Sequence, residues 1–302
     1  PGWRWQLRRA GHILGAASAH IAWPGGSILF SGDLGRSDDL VMRAPQPPLA
    51  SDYVVIESTY GDRLHGEADT LDTLAAVINR TAARGGVLVV PSFAVGRAQT
   101  VLYAIQLLKK ARRIPDMPVY LNSPMAADVT RIFRHHLDEL RLDGEQCAAM
   151  SAGMGIVNDI EESKRLNRLS YPSIIVSASG MATGGRVLHH IEAYAPSARN
   201  TILFAGFQAA GTRGATMVGG ADSVKIHGAY VPIRAEVAQL DTLSAHADRA
   251  QLLAWIGQLP APPRQVFVTH GEPVAADSLR LAIEERHHWP ARVPDYLQAR
   301  EL

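Results

Sequence analysis

The sequence predicts an α/β protein, because strand-like and helix-like segments alternate through most of its 302 residues. Short apolar runs such as 53–57 (YVVIE) and 265–269 (QVFVT) are typical of buried strands. Longer segments with apolar residues at helical spacing lie between such runs. The composition, 47% hydrophobic and 20% charged, is typical of a globular protein, and the length suffices for one large domain or two ordinary ones.

Each predicted element rests on a local pattern. A Gly-Gly pair closes the helix at 70–84, and two lysines at the end of the helix at 98–110 suit its dipole. The glycine-rich stretch 208–220 is predicted to be a connecting loop. The predicted strands are 27–31, 53–57, 87–90, 119–121, 173–176, 201–204, 224–226, 233–239 and 265–269. The predicted helices are 70–84, 98–110, 125–137, 158–169, 187–194, 247–258 and 273–287.

Charge and cysteine content exclude some classes of protein. The formal net charge is +1, so any affinity for a polyanion must come from local patches rather than from the whole chain. Cys147 is the single cysteine, which excludes an intrachain disulfide and fits a cytoplasmic location. No apolar run is long enough to span a membrane. The start, 1–5 (PGWRW), is not a signal peptide, and its strand-like character without an initiator methionine is interpreted as a cut end.

Side chains that can bind metal or carry protons stand where predicted strands end or where a helix is about to begin. In layered α/β folds, functional groups gather at the carboxyl ends of strands, since loops converge there over a rigid sheet. Imidazole and carboxylate groups are also zinc ligands and proton carriers. The residues at these positions are His12, Asp33, Glu57, His246 and His270.

Each of these residues also has a structural explanation. A lone histidine near a strand end is more often a hydrogen-bonded structural residue than a ligand. Asp33 follows a glycine and could be a turn residue that accepts from its own backbone, whereas Glu57 could be an acid at a helix entrance. The spacing leaves both readings open, because the candidate ligands are scattered along the chain.

Several short sequence motifs, taken in order, resemble those of the β-CASP branch of the metallo-β-lactamase superfamily. The resemblance covers essentially the whole chain and is specific because the segments occur in register. The segments are 10–16 (AGHILGA), 30–36 (FSGDLGR), 56–63 (IESTYGDR), 91–99 (PSFAVGRAQ), 123–126 (SPMA), 177–185 (SASGMATGG), 243–248 (LSAHAD) and 268–272 (VTHGE).

The resemblance implies a role for each candidate residue. His12 and His270 match zinc ligands of the family, and Asp33 matches the carboxylate that bridges two zinc ions. Glu57 and His246 match a catalytic pair in which the histidine is the general acid for the leaving oxygen. A histidine at the position of His270, where relatives acting on DNA have valine, favours RNA. Zinc would lower the pKa of a bound water to about 7, and a nearby carboxylate would orient the acid.

The sequence departs from the family at one place. The signature His-x-His-x-Asp-His, which supplies the family's first ligands ahead of the position of His12, is absent from the sequence. Two Zn²⁺ ions belong to the intact family site, whereas zero or one is expected for the ligands present here. The chain is therefore interpreted as a truncated form, and a homodimer or a complementing chain is a possible source of the missing part.

The resemblance also implies a domain arrangement. We expect a partial metallo-β-lactamase αββα sandwich with an inserted α/β β-CASP domain: a first segment at 1–65, the insertion at 66–220 and a returning segment at 221–302. The expected contacts to RNA are Arg97, Ser177, Ser179, Gly180 and Ser244. The remaining histidines, including His65, His227 and the paired ones, are assigned to structure or surface.

The predicted function is zinc-dependent hydrolysis of RNA phosphodiesters by an endo- or 5′-exonuclease, with single-stranded RNA as partner and no membrane. The alternative is a non-catalytic β-CASP scaffold subunit of an RNA-processing complex. A small-molecule hydrolase of the wider superfamily is a weaker alternative, because it would not need the long insertion.

Overall fold

The computed structural model describes residues 2–66 and 68–302. Their contacts divide the chain into two compact units: unit 1 is Pro1–His65 with Ala245–Leu302, and unit 2 is Gly66–Ser244. Unit 2 is thus an insertion between the two segments of unit 1. Pro1, on which the expectation of a cut end rests, lies outside the described residues.

The described part of the chain contains fourteen strands and nine helices. The strands are β1 (Arg4–Arg9), β2 (Ala17–Trp23), β3 (Gly26–Phe30), β4 (Tyr53–Glu57), β5 (Val87–Pro91), β6 (Val119–Asn122), β7 (Gly155–Ile156), β8 (Ser173–Ser177), β9 (Thr201–Phe204), β10 (Ser223–Ile226), β11 (Ala229–Pro232), β12 (Glu236–Gln239), β13 (Gln265–Thr269) and β14 (Ala291–Arg292). The helices are α1 (Thr70–Ala83), α2 (Arg97–Lys110), α3 (Pro124–Phe133), α4 (Gly144–Ala149), α5 (Ile160–Leu166), α6 (Val187–Tyr194), α7 (Arg213–Val218), α8 (Arg249–Ile256) and α9 (Pro273–His287). None of these helices has the length and apolar character needed to cross a bilayer.

Unit 1 is built on a six-stranded sheet with the order β1-β2-β3-β4-β13-β14. The strands β1, β2 and β3 pair antiparallel, whereas β3, β4, β13 and β14 run parallel to one another. Apolar side chains of α8 and α9, including Leu252 and Leu279, pack with Val54 and Val268 of the sheet in one core. This arrangement brings the carboxyl ends of β3, β4 and β13 to a single edge.

Unit 2 contains a second six-stranded sheet, with the order β12-β9-β5-β8-β6-β7. All of its pairings are parallel, and its central strands are buried apolar runs, as expected for a sheet covered on both faces. The strands β10 and β11 form a separate antiparallel hairpin. The predicted α/β class is confirmed, since sheets and helices alternate in both units.

The structure corrects several predicted elements. The predicted loop 208–220 contains the short helix α7, and the side chain of Thr212 caps it by accepting from the amide of Ala215. The helix predicted at 158–169 is shorter, because Asp159 caps its start and it ends at Leu166. The helix predicted at 125–137 ends at Phe133. Unit 2 ends at Ser244 and includes β10, β11 and β12, whereas the domain bounds 66–220 and 221–302 stay a prediction.

Candidate metal centre and acid–base pair

Three parallel strands of unit 1 deliver polar residues to the same sheet edge. Glu57 is the last residue of β4, and its register partner on β13 is Thr269, directly before His270. Asp33 follows β3, which is parallel to β4 on the other side. His270 has a φ of 56°, in the left-handed region, so the chain turns sharply as it leaves β13. The sheet therefore gathers three residues that lie far apart in sequence.

The loop that carries His12 is attached to the same edge by backbone bridges. Gly11 bridges Leu34, and Gly35 bridges His246. A Cβ added at Gly35 would lie 2.1 Å from the carbonyl oxygen of Gly11, so no larger residue fits between these two backbones. The close approach explains why the FSGDLGR segment needs its second glycine. It also brings His12 and His246 beside Asp33.

The donor atoms of His12, Asp33 and His246 all lie within 4.8 Å of one another. His12 Nε2 is 4.0 Å from Asp33 Oδ2, and the ring centroids of His12 and His246 are 4.2 Å apart. Two imidazoles and a carboxylate are a donor set that zinc prefers. The chemistry of the residues present therefore fits a zinc ion.

His270 adjoins this cluster rather than forming its centre. Its Nδ1 atom is 3.3 Å from Asp33 Oδ1 and 3.3 Å from the hydroxyl of Thr59. Its ring centroid lies 6.1 Å from that of His246. The sequence analysis expected His12, Asp33 and His270 as the ligands, whereas the tightest group of donors includes His246. All five predicted residues nevertheless converge in unit 1.

Glu57 is the buried partner of His246. Its carboxylate, 2% exposed, accepts from the amides of Leu34 at 2.7 Å and Thr59 at 3.1 Å and from His246 Nδ1 at 3.1 Å. Burial alone raises the pKa of this carboxyl, but the hydrogen bond and charge of His246, with those from Thr59 and Leu34, lower it below its usual value. Because a carboxylate only accepts, Nδ1 of His246 carries the proton and Nε2 is the reactive nitrogen.

His65 is a neighbour of this pair that the sequence analysis assigned to structure or surface. Its Nε2 atom lies 2.9 Å from the carbonyl oxygen of His246, and its amide donates to Asp248 Oδ2 at 3.0 Å. Burial lowers the pKa of His65, and its Nε2 atom is placed to donate a hydrogen bond to that carbonyl oxygen. The signal available in the sequence was its position eight residues after Glu57, just beyond the IESTYGDR segment.

The residues expected to touch RNA belong to unit 2, and most are buried. Arg97 is 5% exposed, Ser177 is 1% exposed and Ser244 is 3% exposed. The Ser177 hydroxyl donates to the carbonyl oxygen of Asn122 at 2.9 Å. Ser179 is the most accessible of the five, and its hydroxyl lies 3.1 Å from the amide of Thr183. Gly180 packs so closely on a neighbouring phenylalanine that a Cβ there would lie 2.7 Å from its ring.

Two family models match the chain. Residues 98–217 match a Beta-Casp domain, and residues 230–294 match a Zn-dependent metallo-hydrolase RNA specificity domain. The first match lies within unit 2, and the second covers the end of unit 2 and most of the returning segment of unit 1.

Curated relatives agree with these matches. A ribonuclease of Thermus thermophilus is 38% identical over 87% of this chain and 62% of its own length. An RNase J-like protein of Methanocaldococcus jannaschii is 30% identical over 96% of this chain and 69% of its own length. A transcription termination factor of Methanosarcina mazei is 30% identical over 93% of this chain and 47% of its own length. The chain thus spans only part of the length of these relatives.

A solved structure shares the fold. The crystal structure of a protein of unknown function from Enterococcus faecalis superposes with a TM-score of 0.51 at 11% identity, covering 98% of this chain and 63% of the other. This likeness supports the fold alone, whereas the family models and the relatives confirm the family expected from the sequence. The chain belongs to the β-CASP family of the metallo-β-lactamase superfamily.

Proposed function

We propose that this chain is part of a zinc-dependent ribonuclease that hydrolyses RNA phosphodiester bonds. The observation that carries the proposal is the group of donor atoms from His12, Asp33 and His246, within 4.8 Å of one another, directly beside the buried Glu57. A protein that served only as scaffold has no physical need to hold an ionised carboxylate under a histidine at such a cluster. The pairing of metal ligands with a positioned acid is what phosphodiester hydrolysis requires.

Zinc would be held by His12, Asp33 and His270. When bound, it would supply a Lewis acid for the phosphoryl oxygen and would lower the pKa of a water to about 7. Asp33 is suited to serve two ions, since its two oxygens face different histidines: Oδ2 lies 4.0 Å from His12 and Oδ1 lies 3.3 Å from His270. Three ligands are too few for two zinc ions, so a complete centre would need further ligands from outside this sequence.

His246 is assigned the role of general acid. Glu57 fixes Nδ1 of the ring, and the contact between His65 and the carbonyl oxygen of His246 holds its backbone. In the imidazolium form, Nε2 carries the second proton and can transfer it to the leaving 3′-oxygen as the phosphorus–oxygen bond breaks. The carboxylate of Glu57 keeps the ring in one orientation.

Single-stranded RNA is the proposed substrate. The relatives are named as a ribonuclease, an RNase J-like protein and a transcription termination factor, and the second family model is described by RNA specificity. Within unit 2, Ser179 and Gly180, with the more deeply buried Arg97, Ser177 and Ser244, stay proposed contacts to the RNA backbone. A homodimer or a complementing chain that supplies further ligands is part of the same proposal, as is a cytoplasmic location.

The decisive test replaces His246 by alanine in a protein that carries the His-x-His-x-Asp-His signature ahead of this sequence. Loss of a general acid should slow cleavage about 10²- to 10⁴-fold while zinc content stays unchanged. Cleavage is followed with a 5′-labelled single-stranded RNA, and zinc is counted by atomic emission. The exposed His136→Ala is the matched control and should change neither quantity.

Two results would overturn the assignment. Cleavage at the normal rate by His246→Ala would remove the acid role. Loss of zinc from the same variant would make His246 a ligand, as its place in the donor cluster permits. A protein that holds zinc but leaves RNA intact, with the signature supplied, would favour the scaffold alternative.

A further inference from the structure

We propose that unit 2 carries a second metal site, for zinc or a similar divalent transition metal, formed by His189, Glu192 and His227. These three side chains are exposed, and one donor atom from each lies within 4.8 Å of the others. None of them belongs to the cluster in unit 1, and the sequence analysis assigned both histidines to structure or surface. The site would take the metal ion itself as its ligand and is independent of the proposed ribonuclease activity.

Two of the donors are fixed by a helix. His189 and Glu192 lie three positions apart on α6, so their side chains project from the same face. His227 approaches that face from the β10–β11 hairpin: its Nδ1 atom is 3.2 Å from Glu192 Oε2. The rings of His189 and His227 stack, with centroids 4.5 Å apart and an angle of 28° between planes.

The third donor is held in place by a tight turn. His227 and Gly228 connect β10 to β11 and have φ angles of 48° and 87°, the pattern of a two-residue type I′ turn. Such a turn leaves little freedom in the direction of the His227 side chain. A histidine in the left-handed region is uncommon, although it is better tolerated there than a β-branched residue.

The two elements that carry the donors share one apolar core. Val187 and Ile191 of α6 belong to the same buried cluster as Val224 and Ile226 of β10. The distance between the helix and the hairpin is therefore set by packing beneath the surface rather than by the exposed side chains. A site whose ligands stand on rigid elements loses little conformational entropy when the ion binds.

The spacing of the donors suits a metal ion. Zinc bonds to nitrogen and oxygen ligands are about 2.1 Å long, which places neighbouring ligands of a tetrahedral site about 3.4 Å apart. His227 Nδ1 and Glu192 Oε2 already lie at 3.2 Å. The remaining donor distances are within 4.8 Å, and the side chains of His189 and Glu192 are exposed. Two imidazoles and one carboxylate leave a fourth position for water, and the same donors would also bind Ni²⁺ or Cu²⁺.

Calorimetric titration of ZnCl₂ into the full chain tests the proposal. The chain carries Asp33→Ala and His246→Ala, so that the donor cluster of unit 1 is removed. In this background one zinc ion should bind per chain, and the heat should vanish when His227→Asn is added. Asparagine tolerates the left-handed turn but is a poor zinc ligand. His135→Gln, an exposed histidine of the same unit, is the matched control and should keep the binding event.

A second variant distinguishes the loss of a metal ligand from disruption of the β10–β11 hairpin. His189→Gln changes an exposed helical position and should also abolish the event, with an unchanged circular dichroism spectrum. Zinc binding that persists in His227→Asn and in His189→Gln would overturn the site. So would the absence of any zinc binding in the background that lacks only Asp33 and His246. RNA cleavage depends on the proposed ribonuclease site and its RNA contacts, none of which includes His189, Glu192 or His227, so its failure leaves this proposal unaffected.

Discussion

In both units, parallel strands end in polar residues, but these residues have different roles in unit 1 and in unit 2. In unit 2, Asn122 and Ser177 close β6 and β8, and both side chains are buried with His190 beside them. In unit 1, the corresponding ends carry Glu57 on β4 and His270 after β13, with partly exposed side chains around them. A polar residue at the end of a strand can therefore belong either to a structural hydrogen-bond network or to a candidate metal centre.

The difference lies in how donors and acceptors are matched. Asn122 Nδ2 lies 2.7 Å from His190 Nε2, and His190 Nδ1 faces Asn167 Oδ1, so each acceptor atom receives a hydrogen bond. The guanidinium of Arg186 donates to Asn122 Oδ1 at 2.9 Å. In unit 1, by contrast, donor atoms from two imidazoles and a carboxylate lie within 4.8 Å of one another. Such a donor set suits a cation, whereas a fully hydrogen-bonded network favours rigidity.

The largest effect is expected for Asn122→Ala. This change would leave the buried Ser163 and His190, and the half-buried Arg186, without the hydrogen bond that Asn122 gives them. Because each unsatisfied buried group costs about 1–3 kcal/mol, the free energy of unfolding should fall by about 4 kcal/mol. Guanidinium unfolding followed by far-ultraviolet circular dichroism measures the loss.

The exposed Asn158 provides the matched control for this prediction. Asn158→Ala removes the same chemical group from the surface and should change stability by less than about 0.5 kcal/mol. Equal losses in the two variants would mean that the network around Asn122 contributes nothing specific, and the contrast between the two edges would fail.

A pH dependence should follow from His190. Burial, followed by the charges of His189 and Arg186, lowers the pKa of His190 to about 4 from a usual value of 6.5. The unfolded chain would bind this proton near pH 6.5 and the folded chain only near pH 4. The stabilisation is therefore complete above pH 6.5 and is lost as the pH falls towards 4, by about 3 kcal/mol in total.

The comparison of the wild type with His190→Gln isolates this contribution. Glutamine can accept from Asn122 and donate to Asn167 but does not titrate, so the variant should lose stability less steeply between pH 6.5 and 4. Denaturant midpoints at several pH values give the two slopes. Parallel slopes for wild type and variant would show that His190 is not the buried neutral group inferred here.

The sequence predicted elements with a clear apolar run or helical period better than elements without one, whatever their length. The bounds of β4, β9, β13, α6 and α9 agree with the structure, because their apolar runs or helical spacing extend over the whole element. The start 1–5 was described as strand-like, but no bounds were predicted for β1 or β2, since neither strand shows a clear apolar alternation. α7 is hidden by its glycine, although the cap at Thr212 was visible in the sequence.

The five residues of the candidate site were identified from separate sequence motifs, whereas their geometry could not be predicted. The nearness of His246 to His12 depends on two backbone bridges, one to Leu34 and one to Gly35, that join distant parts of the chain. No local pattern encodes such a bridge. For the same reason His65, which contacts the backbone of His246, was assigned to structure or surface.

Only a small stability effect is expected for Asp33→Ala, and this variant tests the comparison of the two units most directly. The Asp33 side chain is 38% exposed and faces two histidines rather than backbone amides, so its loss should change the free energy of unfolding by less than about 1 kcal/mol. Zinc binding by the unit 1 cluster should nevertheless disappear. The five tryptophans all belong to unit 1, which makes their fluorescence a selective probe of its unfolding.

Asp39 is the structural counterpart within the same unit. It is 8% exposed, and its Oδ1 atom accepts from the amides of Val41 at 2.7 Å and Met42 at 2.8 Å. Asp39→Ala should therefore cost about 2 kcal/mol and leave zinc binding intact. If Asp33→Ala proved as destabilising as Asp39→Ala while zinc binding persisted, Asp33 would be a structural carboxylate. The distinction between the hydrogen-bond network around Asn122 in unit 2 and a metal-binding cluster in unit 1 would then not hold.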